Sequence, residues 1–179
     1  YVKAPDILGV VEVENLNALS RLANAINSNL PGTCARNPQY VPYLVEGNDV
    51  GKINIGFLVS TAEVRPSVPR VQVLNVTQYG KDELINNPNS STSVLHDRPP
   101  LVLRAVMNGA DGSAEPVTVV GNHLLSLIDI NSLEPGSNGY PTTGDRRRAK
   151  RALQAVYTAG LIEQFQQANP SERIVLLGD

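Results

Sequence analysis

Three apolar runs of this chain end on residues able to do chemistry. Residues 7–11 (ILGVV) deliver Glu12, residues 117–121 (VTVVG) deliver Asn122 and His123, and residues 174–178 (IVLLG) deliver Asp179. A strand buried on both faces has little reason to finish on a carboxylate or an imidazole unless that end opens onto a cleft. Strands also turn polar simply on reaching the surface, so each residue taken alone has an ordinary explanation. Side by side, the three ends would gather a Glu, an Asp, an Asn and a His in one pocket. A hard cation such as Mg²⁺ takes one or two carboxylates and keeps waters for substrate oxygens. An imidazole, titrating at about pH 6.5 when unperturbed, moves protons at neutral pH. Together these are the parts for metal-assisted hydrolysis of a phosphate ester.

The elements that must position these ends follow from periodicity. Residues 6–13 (DILGVVEV) read as a buried strand. From Asn15 the period becomes helical, with Leu16, Leu19, Ala23, Ile26 and Leu30 on one face, Asn15 as N-cap and Pro31-Gly32 as stop. Strand-like runs follow at 40–46, 53–60, 70–79, 100–107 and 116–123, separated by Pro, Gly and Asn. A second helix opens at Asp145 and reaches 168, with Ala149, Leu153, Val156, Tyr157 and Leu161 inward and Asn169-Pro170 beyond it. Residues 173–178 form the last strand. Many strands with two intervening helices predict a layered α/β domain on a mixed sheet. Two loops, 80–97 and 124–144, are long enough to suggest function.

Composition narrows the field. The chain has 179 residues, 15 Lys+Arg against 17 Asp+Glu, two His, one Cys and no Trp. At 41% hydrophobic and 18% charged it is globular. A net charge of −2 gives no global attraction for a polyanion, which would have to be met by a local patch. Cys34 cannot form an internal disulfide, and no apolar run approaches the length of a membrane helix. No CxxC, P-loop, GxSxG or GxGxxG motif is present. Residues 145–151 (DRRRAKR) place Arg147, Arg148 and Arg151 opposite Leu153 and Val156, as a solvated face or as a phosphate-tracking patch. Ser93, His96 and Asp97 share one loop, an arrangement that rarely makes a triad. Glu14 and Asp49 are acids near strand ends, either of them placed to orient His123.

Four segments carry a family resemblance. "PDILGVVEVEN" resembles the PDxxxLQEVEN signature of the endonuclease/exonuclease/phosphatase superfamily, the fold of pancreatic deoxyribonuclease. "DRPPLVLRA" is similar to its RPPL strand, "VTVVGNHLLS" to its VxVxNxHLKS strand, and "RIVLLGD" to the start of its GDFN motif. Order and spacing fit, a helix with "RRRAKRAL" precedes the last motif, and nearly the whole chain is covered. The combination is most similar to the branch of large secreted bacterial nucleases.

The resemblance implies a layered α/β sandwich with mixed, largely antiparallel sheets. It also implies a Mg²⁺- or Mn²⁺-dependent phosphodiesterase, with Ca²⁺ as a further structural ion. Glu12 matches the metal-binding glutamate and His123 the histidine that contacts the scissile phosphate and moves protons. Asp179 matches the acid that orients the attacking water, and Arg98 an arginine near the phosphate. Asn122 is the neighbouring substrate-side residue, or fixes the local backbone. The substrate is expected to be DNA or RNA, in an extracellular or periplasmic setting, with no membrane span and no protein partner. The alternatives are an inositol-phosphate or sphingomyelin phosphodiesterase, or a non-catalytic binding domain of a multidomain secreted protein. Two positions depart from the pattern: Val11 replaces Gln and Leu125 replaces Lys. The chain starts at Tyr1 without Met and stops at Asp179, before the pattern's Asn and C-terminal His and without its N-terminal strand. Residues 1–179 are therefore expected to be one partial domain, incomplete at both ends and inactive by itself.

Overall fold

The computed structural model describes residues 4–29 and 37–179, so Leu30, Pro31, Gly32 and Cys34 lie outside the described residues. Two antiparallel-rich sheets lie face to face, each covered on its outer side by a helix. The first sheet has the order β1 (Ile7–Val13), β3 (Asn54–Ser60), β2 (Tyr40–Leu44), all antiparallel. The second has the order β11 (Ile174–Gly178), β10 (Ala114–Asn122), β9 (Leu101–Asn108), β6 (Val71–Gln78). In it β10 pairs antiparallel with β9 and parallel with β11. A parallel pair needs a long crossover, and α2 (Thr143–Ala168) supplies it between β10 and β11.

β3 shows why the sequence layers in this way. All seven of its residues are buried, because the strand has protein on both faces. Ile55, Phe57 and Val59 point into the space between the sheets, meeting Val71, Leu101, Leu103, Ala105 and Val119. Leu58 points the other way, joining Leu19 and Ala23 of α1 (Leu16–Asn29) with Val13 and Tyr40. The same alternation on β9 and β10 turns Val102 and Val120 toward Leu161 and Phe165 of α2. Each large side chain buried this way contributes about 1.5–3 kcal/mol, so these three clusters dominate the packing. The chain is thus a mixed α/β sandwich of mostly antiparallel sheets, as expected.

Several local expectations need correction. Leu16 is exposed rather than inward, although Asn15 caps α1 as expected, its Oδ1 accepting from the Ala18 N–H at 2.9 Å. α2 starts two residues before Asp145 and is capped by Thr142, whose hydroxyl accepts from the Asp145 N–H. Its inward face is Gln154, Thr158, Leu161 and Phe165, while Leu153 and Val156 are exposed. The apolar period misplaced this face by one residue because two polar side chains hold its middle. Two small hairpins were also unanticipated, β4 (Glu63–Arg65) with β5 (Val68–Pro69), and β7 (Leu84–Asn86) with β8 (Thr92–Val94) inside the 80–97 loop. No helix among the described residues is long and apolar enough to cross a membrane.

Candidate active site

The parallel pairing of β10 with β11 brings two of the expected residues together. Asn122 lies opposite Gly178, so His123 and Asp179 leave the sheet side by side. The Asp179 N–H donates to the Asn122 carbonyl at 3.1 Å, and the Leu124 N–H donates to the Asp179 carbonyl at 3.0 Å. Gly178 sits at φ 140° with its α-carbon against the Asn122 backbone, leaving no room for a β-carbon. Only glycine allows that close approach. A hollow of about 300 Å³, lined by Asn122, Leu124, Leu176, Leu177, Gly178 and Asp179, opens beside these ends.

β1 approaches from the other sheet. Gly9 lies directly against the Leu177 side chain, which fixes β1 over β11. The ladder between β1 and β3 then shifts register between Val10 and Val13, and Glu12 within the bulge adopts φ 60°. A bulge with a left-handed residue re-aims a side chain out of the pleat. For a non-glycine it costs on the order of 1–3 kcal/mol. That strain falls on the one residue of β1 expected to carry chemistry. Glu12 is exposed there, as Asp179 is just beyond β11.

His123 is the residue on which these groups converge. It is 6% exposed, and its Nδ1 is buried without a protein partner. Burial, helped by the Arg98 guanidinium, lowers its pKa below the ordinary value, while Asp179, Glu12 and Asp49 pull in the opposite direction. The imidazole is therefore neutral at pH 7, with a free nitrogen able to take a proton. The other two strand-end residues, Glu12 and Asp179, thus act electrostatically on this ring together with Asp49 and Arg98. Val11 and Leu125, the two departures, flank Glu12 and follow Leu124.

Arg98 is 8% exposed and closely engaged. Its Nε donates to the His123 carbonyl at 3.3 Å and its Nη2 to the Leu124 carbonyl at 2.7 Å. Its Nη1 pairs with Asp49 at 3.2 Å. Asp49 is in turn held by the Gly51 N–H at 2.8 Å. Of the two acids near strand ends, Asp49 therefore belongs to the His123 neighbourhood. Glu14 is exposed, and its carbonyl accepts from Asn54 Nδ2 at 3.0 Å. Asn54, buried at the start of β3, also accepts from the Gly47 N–H at 2.8 Å, so it ties the Asp49 loop to the end of β1.

Helix α2 braces the same turn from outside. Gln154 is 2% exposed; its Oε1 accepts from the Leu125 N–H at 2.7 Å and its Nε2 donates to the Leu95 carbonyl at 2.9 Å. Thr158 Oγ1 donates to the Gln154 carbonyl at 3.0 Å and lies 3.5 Å from Asn122 Oδ1, at the edge of hydrogen-bond reach. The arginines expected on a solvated or phosphate-tracking face instead hold the 124–144 loop. Arg151 donates to the Leu125 carbonyl, Arg148 to the Ile130 carbonyl and to Asp145, and Arg147 lies 3.7 Å from Asp129. Sequence reasoning missed Gln154, whose two partners lie 29 and 59 residues away, and Asn54, whose bond to Glu14 spans 40.

Ser93, His96 and Asp97 do not form a triad. Ser93 Oγ donates to Asn87 Oδ1, and Asp97 pairs with Lys150 at 2.9 Å. His96 is 1% exposed, its ring meets Tyr157 edge to face at 4.8 Å, and its Nε2 has no partner. Burial, then the Lys150 charge, pushes its pKa down to about 4, against Asp97. Below its ordinary value near 6.5 the unfolded chain takes up a proton that the native state refuses. Stability should thus be full above that pH and fall by about 3 kcal/mol as pH drops toward 4. Replacing His96 with Phe keeps the edge contact and should flatten urea midpoints across that window. An unchanged slope would mean that His96 is not the titrating group.

No cluster of three or more His, Cys, Asp or Glu suited to a metal exists among the described residues. By type, the exposed Glu12 and Asp179 carboxylates are donors for a Mg²⁺ or Mn²⁺, which takes one or two carboxylates and keeps its waters, and are too few for a Ca²⁺ needing six or more oxygens. Compared with known proteins, the chain matches no family and no curated sequence.

Proposed function

We propose that this chain carries the core of a Mg²⁺- or Mn²⁺-dependent phosphodiester hydrolase of the deoxyribonuclease-I-like kind, a nuclease acting on DNA or RNA. The observation that carries the reading is the pairing of β10 with β11, which sets the buried His123 beside Asp179 while Arg98 grips the His123 and Leu124 carbonyls; the charges of Arg98, Asp179, Glu12 and Asp49 also act on the imidazole. The four ordered motifs named above support it independently.

Glu12, aimed outward by its bulge, is the residue that would hold the metal. When bound, the metal supplies Lewis-acid polarisation of a phosphoryl oxygen and stabilisation of the leaving oxygen. Asp179 would orient the attacking water by accepting a hydrogen bond from its O–H. His123, free at one ring nitrogen, binds the phosphate or moves a proton. Arg98 commits three N–H groups to the turn and Asp49; the two that remain are those a phosphate would meet. Asn122 keeps the strand end in place for both.

Plasmid nicking by the full-length natural protein tests this reading directly. Cleavage with Mg²⁺ and its loss with EDTA are expected. Absence of cleavage of DNA, RNA and a generic phosphodiester with either Mg²⁺ or Mn²⁺ would refute it.

A further inference from the structure

Two backbone segments flank the candidate site, residues 95–98 and residues 123–125, and both are gripped at each end. Arg98 joins them at one end through the His123 and Leu124 carbonyls. Gln154 joins them at the other, accepting from the Leu125 N–H and donating to the Leu95 carbonyl. The result is a closed ring: Leu95 to Arg98 along the chain, Arg98 to His123 by hydrogen bond, His123 to Leu125 along the chain, and Leu125 back to Leu95 through one side chain. Arg151 adds a bond to the Leu125 carbonyl, so both backbone polar groups of Leu125 are held from α2.

Gln154 is an unlikely residue for a helix interior on packing grounds alone. Its neighbours on the inward face, Leu161 and Phe165, fill the core, and a Leu at 154 would do the same. A fully buried amide is retained at a site where both its donor and its acceptor are needed. Asn48 repeats the pattern from the opposite side, its Nδ2 donating to the His96 carbonyl at 3.0 Å. The 95–98 segment is thus held from α2 and from the Asp49 loop.

We propose that Gln154, assisted by Arg151, is a positioning residue for His123: it fixes the turn that carries the imidazole relative to Arg98. The proposal rests on the functional reading above for its kinetic consequence but not for its spectroscopic one. A displacement of about 1 Å at a catalytic group can cost on the order of 10²-fold in rate. In the full-length protein, Gln154→Met removes both bonds while keeping an unbranched chain of similar length. It should lower kcat by about 10- to 100-fold with KM little changed, and should broaden or split the His123 ring resonance. Gln154→Glu, which keeps an acceptor for Leu125, should restore part of kcat. Phe165→Leu is the comparison for stability, since it loosens α2 far from the turn; it should leave the His123 signal single and sharp.

A Gln154→Met protein that melts earlier but retains kcat and a sharp His123 signal would overturn the proposal. So would equal effects from Phe165→Leu. If Gln154→Met does not fold, Arg151→Met, made at a half-buried position, decides the point: a smaller broadening of His123 supports the clamp, and an unmoved signal overturns it. If the natural protein cleaves no phosphodiester, the functional reading fails, yet the His123 signal still judges the clamp.

Discussion

Replacing His123 with alanine in the full-length protein should lower turnover by about 10²–10⁴-fold, the range that general acid–base catalysis supplies. That corresponds to about 3–5 kcal/mol of barrier. The stability loss should be smaller, because the buried Nδ1 has no protein partner and its removal strands no hydrogen bond. What remains is the cavity left by the ring, a loss of about 1–3 kcal/mol. The pH profile separates the roles further. Burial and Arg98 lower the imidazole's pKa, so it stays in its neutral form to pH values below the ordinary midpoint near 6.5. The acidic limb of kcat/KM should therefore lie below that pH and vanish in the variant. A His123→Ala protein with near-normal kcat and a large drop in melting temperature would make this histidine a core residue.

The three reactive ends were legible for a local reason. Apolar runs that stop abruptly on Glu12, His123 and Asp179 can be seen within ten residues of sequence, and β-pairing then joins two of them through the Asn122–Gly178 register. The contacts that tune these ends were legible only in part: Asp49 and Arg98 stood out as residues, but their pairing did not, and Gln154 did not stand out at all, because the partners are remote in sequence. Asp49 meets Arg98 across 49 residues, and Gln154 meets Leu95 across 59. Nothing in the local pattern of either segment encodes such a contact. The α2 face illustrates a second cause. Leu153 and Val156 fit the helical apolar period, yet the side facing the sheet is marked by Gln154 and Thr158. Where a helix braces loops as well as a sheet, polar residues occupy its inner face, and a count of apolar positions is displaced. The 80–97 loop fails for a third reason: β7 and β8 are three residues each, too short for alternation to register.

Glu12→Gln should remove most activity, by about 10³-fold or more if the metal supplies several kcal/mol of transition-state stabilisation. Mg²⁺ binding, followed by calorimetry, should weaken in parallel, since an amide oxygen replaces a carboxylate on a hard cation. Folding should be almost untouched: the side chain is exposed, and exposed substitutions usually stay within about 0.5 kcal/mol. The backbone gives a second and sharper test. Glu12 holds φ 60° inside the β1 bulge, a conformation that glycine adopts without the Cβ penalty. Glu12→Gly should therefore be as inactive as Glu12→Gln yet more stable than the natural protein, by up to about 1 kcal/mol after the extra entropy of glycine in the unfolded chain is subtracted. Opposite movements of activity and melting temperature in that variant would mean that the strain at this position is retained for the carboxylate it aims. Unchanged Mg²⁺ affinity in both variants would remove Glu12 from the metal site, and a Glu12→Gly protein less stable than Glu12→Gln would show that the bulge is held by the side chain and not imposed on it.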